Sequence, residues 1–217
     1  VSGCSSGSGA EAARQVAGAG GIPIIVARSL DKLLEVQTEI TEAGGQCHVF
    51  TCDLSNLEAI DTLVKDVTET HGGVDFLVNN AGRSIRRSIK LSQDRFHDLE
   101  RTMQLNYFGA VRLIMALLPA TTEQRSGHII NVSSLGAQTG VPRSSPYVAP
   151  KAALAAYSRS AAPQPHPHGA TCPTTPIPFA PAPVCSGRGP EARIVRPMES
   201  SWCAPHPATS AMHSGKG

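Results

Sequence analysis

Four short apolar runs rich in β-branched residues, "GIPIIVA" (21–27), "QCHVFTC" (46–52), "VDFLVNN" (74–80) and "GHIINVS" (127–133), recur through the first 162 residues. Runs of this kind suit strands buried on both faces. Between them lie "SGAEAARQVAGAG", "SLDKLLEVQTEITEAG", "NLEAIDTLVKDVTETHG" and the long "SQDRFHDLERTMQLNYFGAVRLIMALLPA". Each carries apolar residues at helical spacing, such as Leu33, Val36 and Ile40 in the second and Ile60, Leu63, Val64 and Val67 in the third. Ser29 with Asp31, and Ser92 with Asp94, place cap-forming and acidic residues where helix starts favour them. Regular alternation of strand and helix predicts an α/β chain with a doubly wound parallel sheet. Sheets of that kind bind ligands at the carboxyl ends of their strands.

The pattern stops near residue 162. Of the 17 prolines, 12 follow that point, beginning with "PQPHPHGATCPTTPIPFAPAPV". Proline removes donors and crowds the preceding turn, so this stretch can hold neither a helix nor a central strand. The chain therefore reads as a body, 1–162, and an irregular tail, 163–217, in which "ARIVRPM" (192–198) is the one short apolar patch.

At 217 residues and 41% hydrophobic composition, one sizeable core is expected. A net charge of +2 gives no field that would gather nucleic acid or an anionic membrane. No apolar run reaches the roughly 20 residues of a membrane span. "VSGC" resembles a lipoprotein cleavage site, but no basic start and apolar stretch precede it, and it reads as chance. The 6 cysteines form no C-x-x-C pair, which fits a reduced, cytoplasmic compartment. His166, His168, Cys172, Cys185 and Cys203 are too irregularly spaced for a zinc site, and no metal is expected.

Two local features carry chemistry. The chain opens with "SGCSSGSGA"; if Val1 ends a strand and Ala10 begins a helix, Gly3, Gly7 and Gly9 form the turn between them. Its backbone N–H groups and the helix N-terminus then favour a phosphate. A flexible linker is the plain alternative. In "SSPYVAPKAALAAYSRS" (144–160), Tyr147 and Lys151 stand one helical turn apart, about 6 Å along the axis, on one face. An ammonium so close lowers a phenol's pKa.

Together with Asp53 in "TCDL", "NNAG" (79–82), Asn106 in "QLNYFGA" and "NVSS" (131–134), these residues stand in a familiar order, and the body resembles the short-chain dehydrogenase/reductase family. A narrower similarity, carried by "NNAGRSIRRS" and "DRFHDLERTMQLNYFGAVRLIMALLP", is to the reductase domain of bacterial fatty acyl-CoA reductases. The resemblance implies a Rossmann-like fold and hydride transfer between a nicotinamide and a carbonyl or alcohol. It implies Tyr147 as general acid, Ser134 holding the substrate oxygen, Lys151 depressing the phenol and reaching the ribose, and Asn106 holding a water that links the lysine to solvent. Gly3, Ser5, Ser6, Gly7 and Gly9 would cradle the nucleotide's phosphates. Asp53 would accept from the adenine amino group, with a helix-capping role as its alternative. Asn79 and Ala81 would line the adenosine side, Gly82 would let the backbone turn there, and Asn80, Ala81 and Gly82 would bind the cofactor.

Cofactor choice is read after the second strand, in "VARSLDK". There Ala27 stands where an acid would repel a 2′-phosphate, and Arg28 suits a bidentate phosphate contact, so NADPH is preferred over NADH. The cluster Arg83, Arg86, Arg87 and Lys90 is a solvated loop or a steering patch for an anionic substrate.

Three departures from the family follow. Pro150 precedes the lysine inside the expected catalytic helix, at a cost of up to about 3 kcal/mol. Only Val1 remains of the expected first, central strand, leaving the glycine turn poorly anchored. The tail offers none of the family's further strands or its lid, and reads as a shifted reading frame or a wrongly predicted exon. The sheet is thus expected to be incomplete at both ends. A complete chain would be a homo-oligomer acting on a small carbonyl or alcohol; the other expectation is a catalytically inactive fragment that at most binds nucleotide or pairs with intact relatives.

Overall fold

In the computed structural model, residues 1–124 and 126–161 are described with their side chains, and Thr174–Ile177 by backbone alone. All belong to one compact unit, Val1–Pro181. The histidines and cysteines of 166–203 and the patch at 192–198 lie outside the described residues.

Each of the four apolar runs forms a strand. β1 (Ile24–Ala27) pairs in parallel with β2 (His48–Thr51), Val26 opposite Phe50. β3 (Phe76–Asn79) pairs in parallel with β4 (His128–Val132), Asn79 opposite Asn131. The two ladders meet through the first three residues. The Val1 amino group donates to the Ile24 carbonyl at 2.7 Å, and Val26 N–H returns a bond to the Val1 carbonyl at 3.0 Å. Ser2 N–H donates to the Val78 carbonyl at 2.9 Å on the other side. Short as it is, this segment stands in the central strand's place. The expected weak anchor is therefore corrected: backbone bonds on both sides hold the turn that follows.

Alternation along β1 divides the interior. Ile25 and Ala27 face one core with Ala10, Ala13, Leu33, Val36 and Ile40 from α1 (Gly7–Gly18) and α2 (Leu30–Glu42). Val26 faces the other, with Ile60, Leu63, Val64 and Val67 of α3 (Leu57–His71) and Leu113 and Leu117 of α5 (Ala110–Gln124). Helices thus cover both faces of a parallel sheet, the doubly wound arrangement. Asn56, not Asp53, caps α3: its Oδ1 accepts from Glu58 N–H at 3.0 Å and Ala59 N–H at 3.2 Å.

The long segment expected to be one helix starts late and is interrupted once. Ser92 and Asp94 do not start it; Ile89–Leu91 form a single 3₁₀ turn, Ser92 Oγ donates to the Ser88 carbonyl at 2.9 Å, and α4 begins later, at Phe96, and runs to Met103. Gln104–Gly109 then form a π-helical turn before α5. Through it Gly109 packs directly on the Leu54 carbonyl, where a Cβ would clash with backbone, and Gln104 Nε2 donates to the Ser55 carbonyl at 2.9 Å. Single-turn π insertions of this sort often mark functional positions.

Beyond a four-residue helix, α6 (Gly136–Thr139), the chain enters α7 (Ser145–Ala161), which runs unbroken past Pro150. Finally β5 (Thr174–Ile177) pairs in parallel with β4, Pro176 opposite Asn131. The expectation that the tail adds no strand is corrected at these residues. Proline permits it because β5 has a ladder on one side only among the described residues, so the missing N–H interrupts no central pairing.

Candidate active site

A cleft of about 430 Å³ opens at the carboxyl ends of β1, β2 and β3. Gly3, Ser5, Ser6 and Ser8 line it from the opening turn, Ala27, Arg28, Ser29 and Lys32 from beyond β1, Cys52, Asp53 and Leu54 from beyond β2, and Asn80, Ala81 and Gly82 from beyond β3, with Leu105 from the π turn. Eight of the residues expected to hold a nucleotide (Gly3, Ser5, Ser6, Arg28, Asp53, Asn80, Ala81, Gly82) therefore share one wall-to-wall space. Lys32 and Cys52 were missed by the sequence reading; the spacing of Lys32, one turn after Arg28, was the available signal for the former.

Close approach explains the glycines. Gly3 has φ of 72°, and a Cβ there would stand 2.7 Å from the Ala81 Cα. At Gly9 a Cβ would strike the Gly3 carbonyl and come within 2.5 Å of Asn80 Nδ2. Helix α1 starts at Gly7 instead of Ala10, so Gly7 and Gly9 belong to its first turn and do not line the cleft. Gly9 instead lets the helix sit tightly on the turn. Ser2 fastens the opposite wall: its buried Oγ accepts from both Asn80 N–H and Ala81 N–H at 3.0 Å. Asn79, expected beside the adenosine, points inward; its Nδ2 donates to Asn131 Oδ1 at 2.9 Å, and Asn131 Nδ2 donates to Ser158 Oγ at 2.8 Å. That buried relay joins β3, β4 and α7.

Arg28 is exposed at the cleft's edge, and the Ser29 hydroxyl beside it makes no capping bond to α2. Asp53 accepts from Ser55 N–H at 2.9 Å within its own turn, so its carboxylate is set by the loop and not by a helix.

Lys151 is 2% exposed and donates from Nζ to the Val132 carbonyl at 2.7 Å, at the end of β4. Burial pushes its ammonium down to about 8. Nζ also stands 3.6 Å, and Asn106 Oδ1 3.2 Å, from where a Cβ on Gly82 would be, so both adjoin the cleft at that glycine. Asn106 is fully buried, and its carboxamide is engaged at both ends by the Arg83 backbone: Arg83 N–H donates to Oδ1 at 2.7 Å and Nδ2 donates to the Arg83 carbonyl at 2.9 Å. Its side chain ties the loop after β3 to the π turn. Tyr147 lies half-buried in the first turn of α7, one turn before Lys151, its N–H bonded to the Ser144 carbonyl at 2.9 Å. Ser134 Oγ accepts from Gly136 N–H at 3.2 Å, and both Ser134 Oγ and the Val148 Cγ2 of α7 lie 3.4 Å from where a Cβ on Gly136 would be. Of the four residues expected to be catalytic, Asn106 and Lys151 adjoin the cleft together at Gly82, while Ser134 lies in the loop after β4 and Tyr147 in the first turn of α7.

The short chain dehydrogenase family profile matches residues 1–177. The chain belongs to this family. It is 53% identical over 157 residues, 71% of its length, to an uncharacterized oxidoreductase of Mycobacterium tuberculosis, and 52% identical over 159 residues, 73% of its length, to a fatty acyl-CoA reductase of Acinetobacter baylyi. It spans about half the length of these curated relatives, 46% and 54% respectively. Among solved structures, a metagenomic short-chain oxidoreductase in complex with NADP superposes with a TM-score of 0.71 at 34% identity, covering 75% of this chain and 73% of that one.

Proposed function

We propose that this chain is the nucleotide-binding and catalytic part of an NADPH-dependent oxidoreductase that interconverts a carbonyl and an alcohol, with acyl-derived or lipid-like compounds as its substrate class. One observation carries the reading: the glycine turn, Arg28, Asp53 and Asn80 to Gly82 line a single cleft whose far end adjoins buried Lys151. A dinucleotide fits this cradle, because the two positions where a Cβ would strike backbone, Gly3 and Gly9, hold a turn whose N–H groups and helix N-terminus favour phosphate. Arg28, Lys32 and the free Ser29 hydroxyl are the groups that would take a 2′-phosphate; Ala27 stands where a repelling acid would, and Asp31 in the first turn of α2 does not line the cleft. The relative crystallised with NADP supports the same cofactor, and the acyl-CoA reductase relative supports the substrate class.

When bound, the reduced nicotinamide supplies a hydride to the carbonyl carbon. Tyr147 gives its phenolic proton to the carbonyl oxygen, which becomes the alcohol hydroxyl. Lys151, cationic near neutral pH, favours the phenolate that remains and holds ribose hydroxyls. Ser134 donates a hydrogen bond to the substrate oxygen and fixes its position in front of Tyr147. Asn106 acts here by holding the Gly82 to Arg83 backbone against the lysine.

Fluorescence titration with NADPH and NADH, followed by turnover of a long-chain aldehyde and a generic ketone, tests the proposal. Tighter NADPH binding with turnover that Tyr147→Phe abolishes is the expected result. Binding without turnover would leave a nucleotide-binding fragment, and equal affinity for both cofactors would remove the role given to Arg28.

A further inference from the structure

The loop before Tyr147 is held in an unfavourable shape from outside the cleft. Arg143 has φ of 64°, the one non-glycine residue with positive φ among the described residues. For an L side chain this conformation is strained. Its carbonyl accepts from Arg87 N–H at 2.7 Å, a bond between the loop after β3 and the loop entering α7. The next residue, Ser144, is buried, and its carbonyl takes both Tyr147 N–H and Val148 N–H at 2.9 Å, so the conformation of 143–144 sets how α7 starts.

Arg87 is itself held. Its Nε is buried without a hydrogen bond, and Asp98 Oδ2 lies 3.5 Å away. Asp98, 5% exposed on α4, gathers two further groups: Arg95 Nε at 3.0 Å and His97 Nε2 at 3.3 Å. Arg95 foremost holds its carboxyl below the usual carboxylate range, so it remains an anion wherever the enzyme works. Helix α4 packs on α7, which places this anion behind both loops. A buried carboxylate held between the guanidinium groups of Arg87 and Arg95, on a helix that contributes nothing to the cleft, calls for a role.

From this arrangement we infer that Asp98 is a positioning residue, which through Arg87 clamps Arg143 in its left-handed conformation and so sets the first turn of α7 and the aim of Tyr147. The inference rests on the proposed role of Tyr147, but the clamp itself is measurable without turnover. Holding the strained residue is the point of the contact: at position 143 glycine would adopt the same conformation without help.

The experiment is a two-by-two set: parent, Asp98→Asn, Arg143→Gly and the double variant, read by amide hydrogen exchange with mass spectrometry and, in parallel, by steady-state kinetics with NADPH. Asp98→Asn should speed exchange in 143–150 about tenfold while leaving 24–42 unchanged, and should lower kcat about tenfold with the KM for NADPH within twofold. In the Arg143→Gly background the same substitution should cost less than threefold in both readouts, because no strain remains to be held. Equal losses in both backgrounds, faster exchange spread over the whole chain, or no change in 143–150 would overturn the inference. A parent without turnover would sink the proposed function alone, since the exchange pattern still decides the clamp.

Discussion

Lys151 concentrates the site's electrostatics in one buried atom. Its ammonium has lost water and gained one carbonyl, that of Val132, so the folded protein releases the proton at about 8 where an unfolded chain releases it near 10.5. Between these values the unfolded state binds more protons, and stability therefore rises with pH through that window; below it the burial cost is present in full. At ~1.4 kcal/mol per decade the span is worth about 3 kcal/mol. Lys151→Met should remove this slope, so the unfolding free energies of parent and variant, measured in denaturant from pH 7 to pH 10.5, should converge or cross by about that amount. Parallel curves would mean that Lys151 carries no desolvation cost. The titrating thiols, Cys4 and Cys47 among them, are raised by burial and act in the opposite direction, but they are common to both proteins and cancel in the difference. On the other side of the cleft, Arg28→Asp replaces an exposed phosphate partner with a repelling charge. NADPH should bind tenfold or more weakly, charge-assisted bonds being worth about 1.5–3 kcal/mol, while NADH should be little affected; a parallel fall for both cofactors in the titration would point to damage to the fold around β1.

Among the elements, α7 is where local propensity and site geometry conflict. Pro150 denies the Pro146 carbonyl its bond in the middle of a helix that must keep Tyr147 and Lys151 on one face, yet the helix continues. Its ring is fully buried, and that packing offsets part of the lost bond. Replacing it with alanine gives up two ring carbons, about 0.8 kcal/mol each, and regains a helix-interior penalty of about 3 kcal/mol. Pro150→Ala should therefore raise stability by about 1 kcal/mol, a Tm increase of about 2–4 °C; an unchanged or lower Tm would mean that the ring is worth more than the bond. The spacing of Tyr147 and Lys151 already made this turn legible, as the apolar periodicities made α2 and α3, because each is a local pattern repeated over several turns. Elements fixed by a single distant contact were not legible. The π turn at 104–109 exists because Gly109 and Gln104 meet the carbonyls of Leu54 and Ser55, some fifty residues away, and nothing in "QLNYFG" alone announces it. Likewise Asn79 and Asn80 read alike in "NNAG", but Asn79 ends β3 and faces the Asn131 and Ser158 relay while Asn80, just past the strand, lines the cleft. The two-residue bridge of Val1 and Ser2 is too short for any periodicity, and the single-sided pairing of β5 makes tolerable a proline that argues against a central strand.

At the scale of the whole molecule, the sheet is two ladders, β2 with β1 and β3 with β4 and β5, joined by three residues. Across that narrow join the backbone bonds are few, Ser2 bonding Val78, Asn80 and Ala81 on one side while Val1 and Gly3 bond β1 on the other, and the rest of the connection is the core that Val26 and α3 share with α5 and the Arg112 to Asp61 pair. The proposed nucleotide cleft straddles the same join, with Arg28 and Asp53 from one ladder and Asn80 to Gly82 from the other. A dinucleotide bound there would bridge both halves, and only the state with the two correctly docked would offer its full set of contacts. By mass action a ligand at 100 times its Kd adds about 2.7 kcal/mol of stability. For this chain the gain should fall on the docking. In its absence, hydrogen exchange in 24–51 and in 76–79 with 128–132 should report distinct opening free energies; with saturating NADPH the two should rise together to one common value, and thermal unfolding should sharpen into a single transition. Substituting Ser2 with alanine, which strips the acceptor shared by Asn80 and Ala81, should widen the gap between the halves without ligand by about 1–3 kcal/mol. If NADPH protected only the β1 side, or if the two ladders already exchanged as one unit without it, the ligand would be an occupant of a finished fold and not the part that completes it.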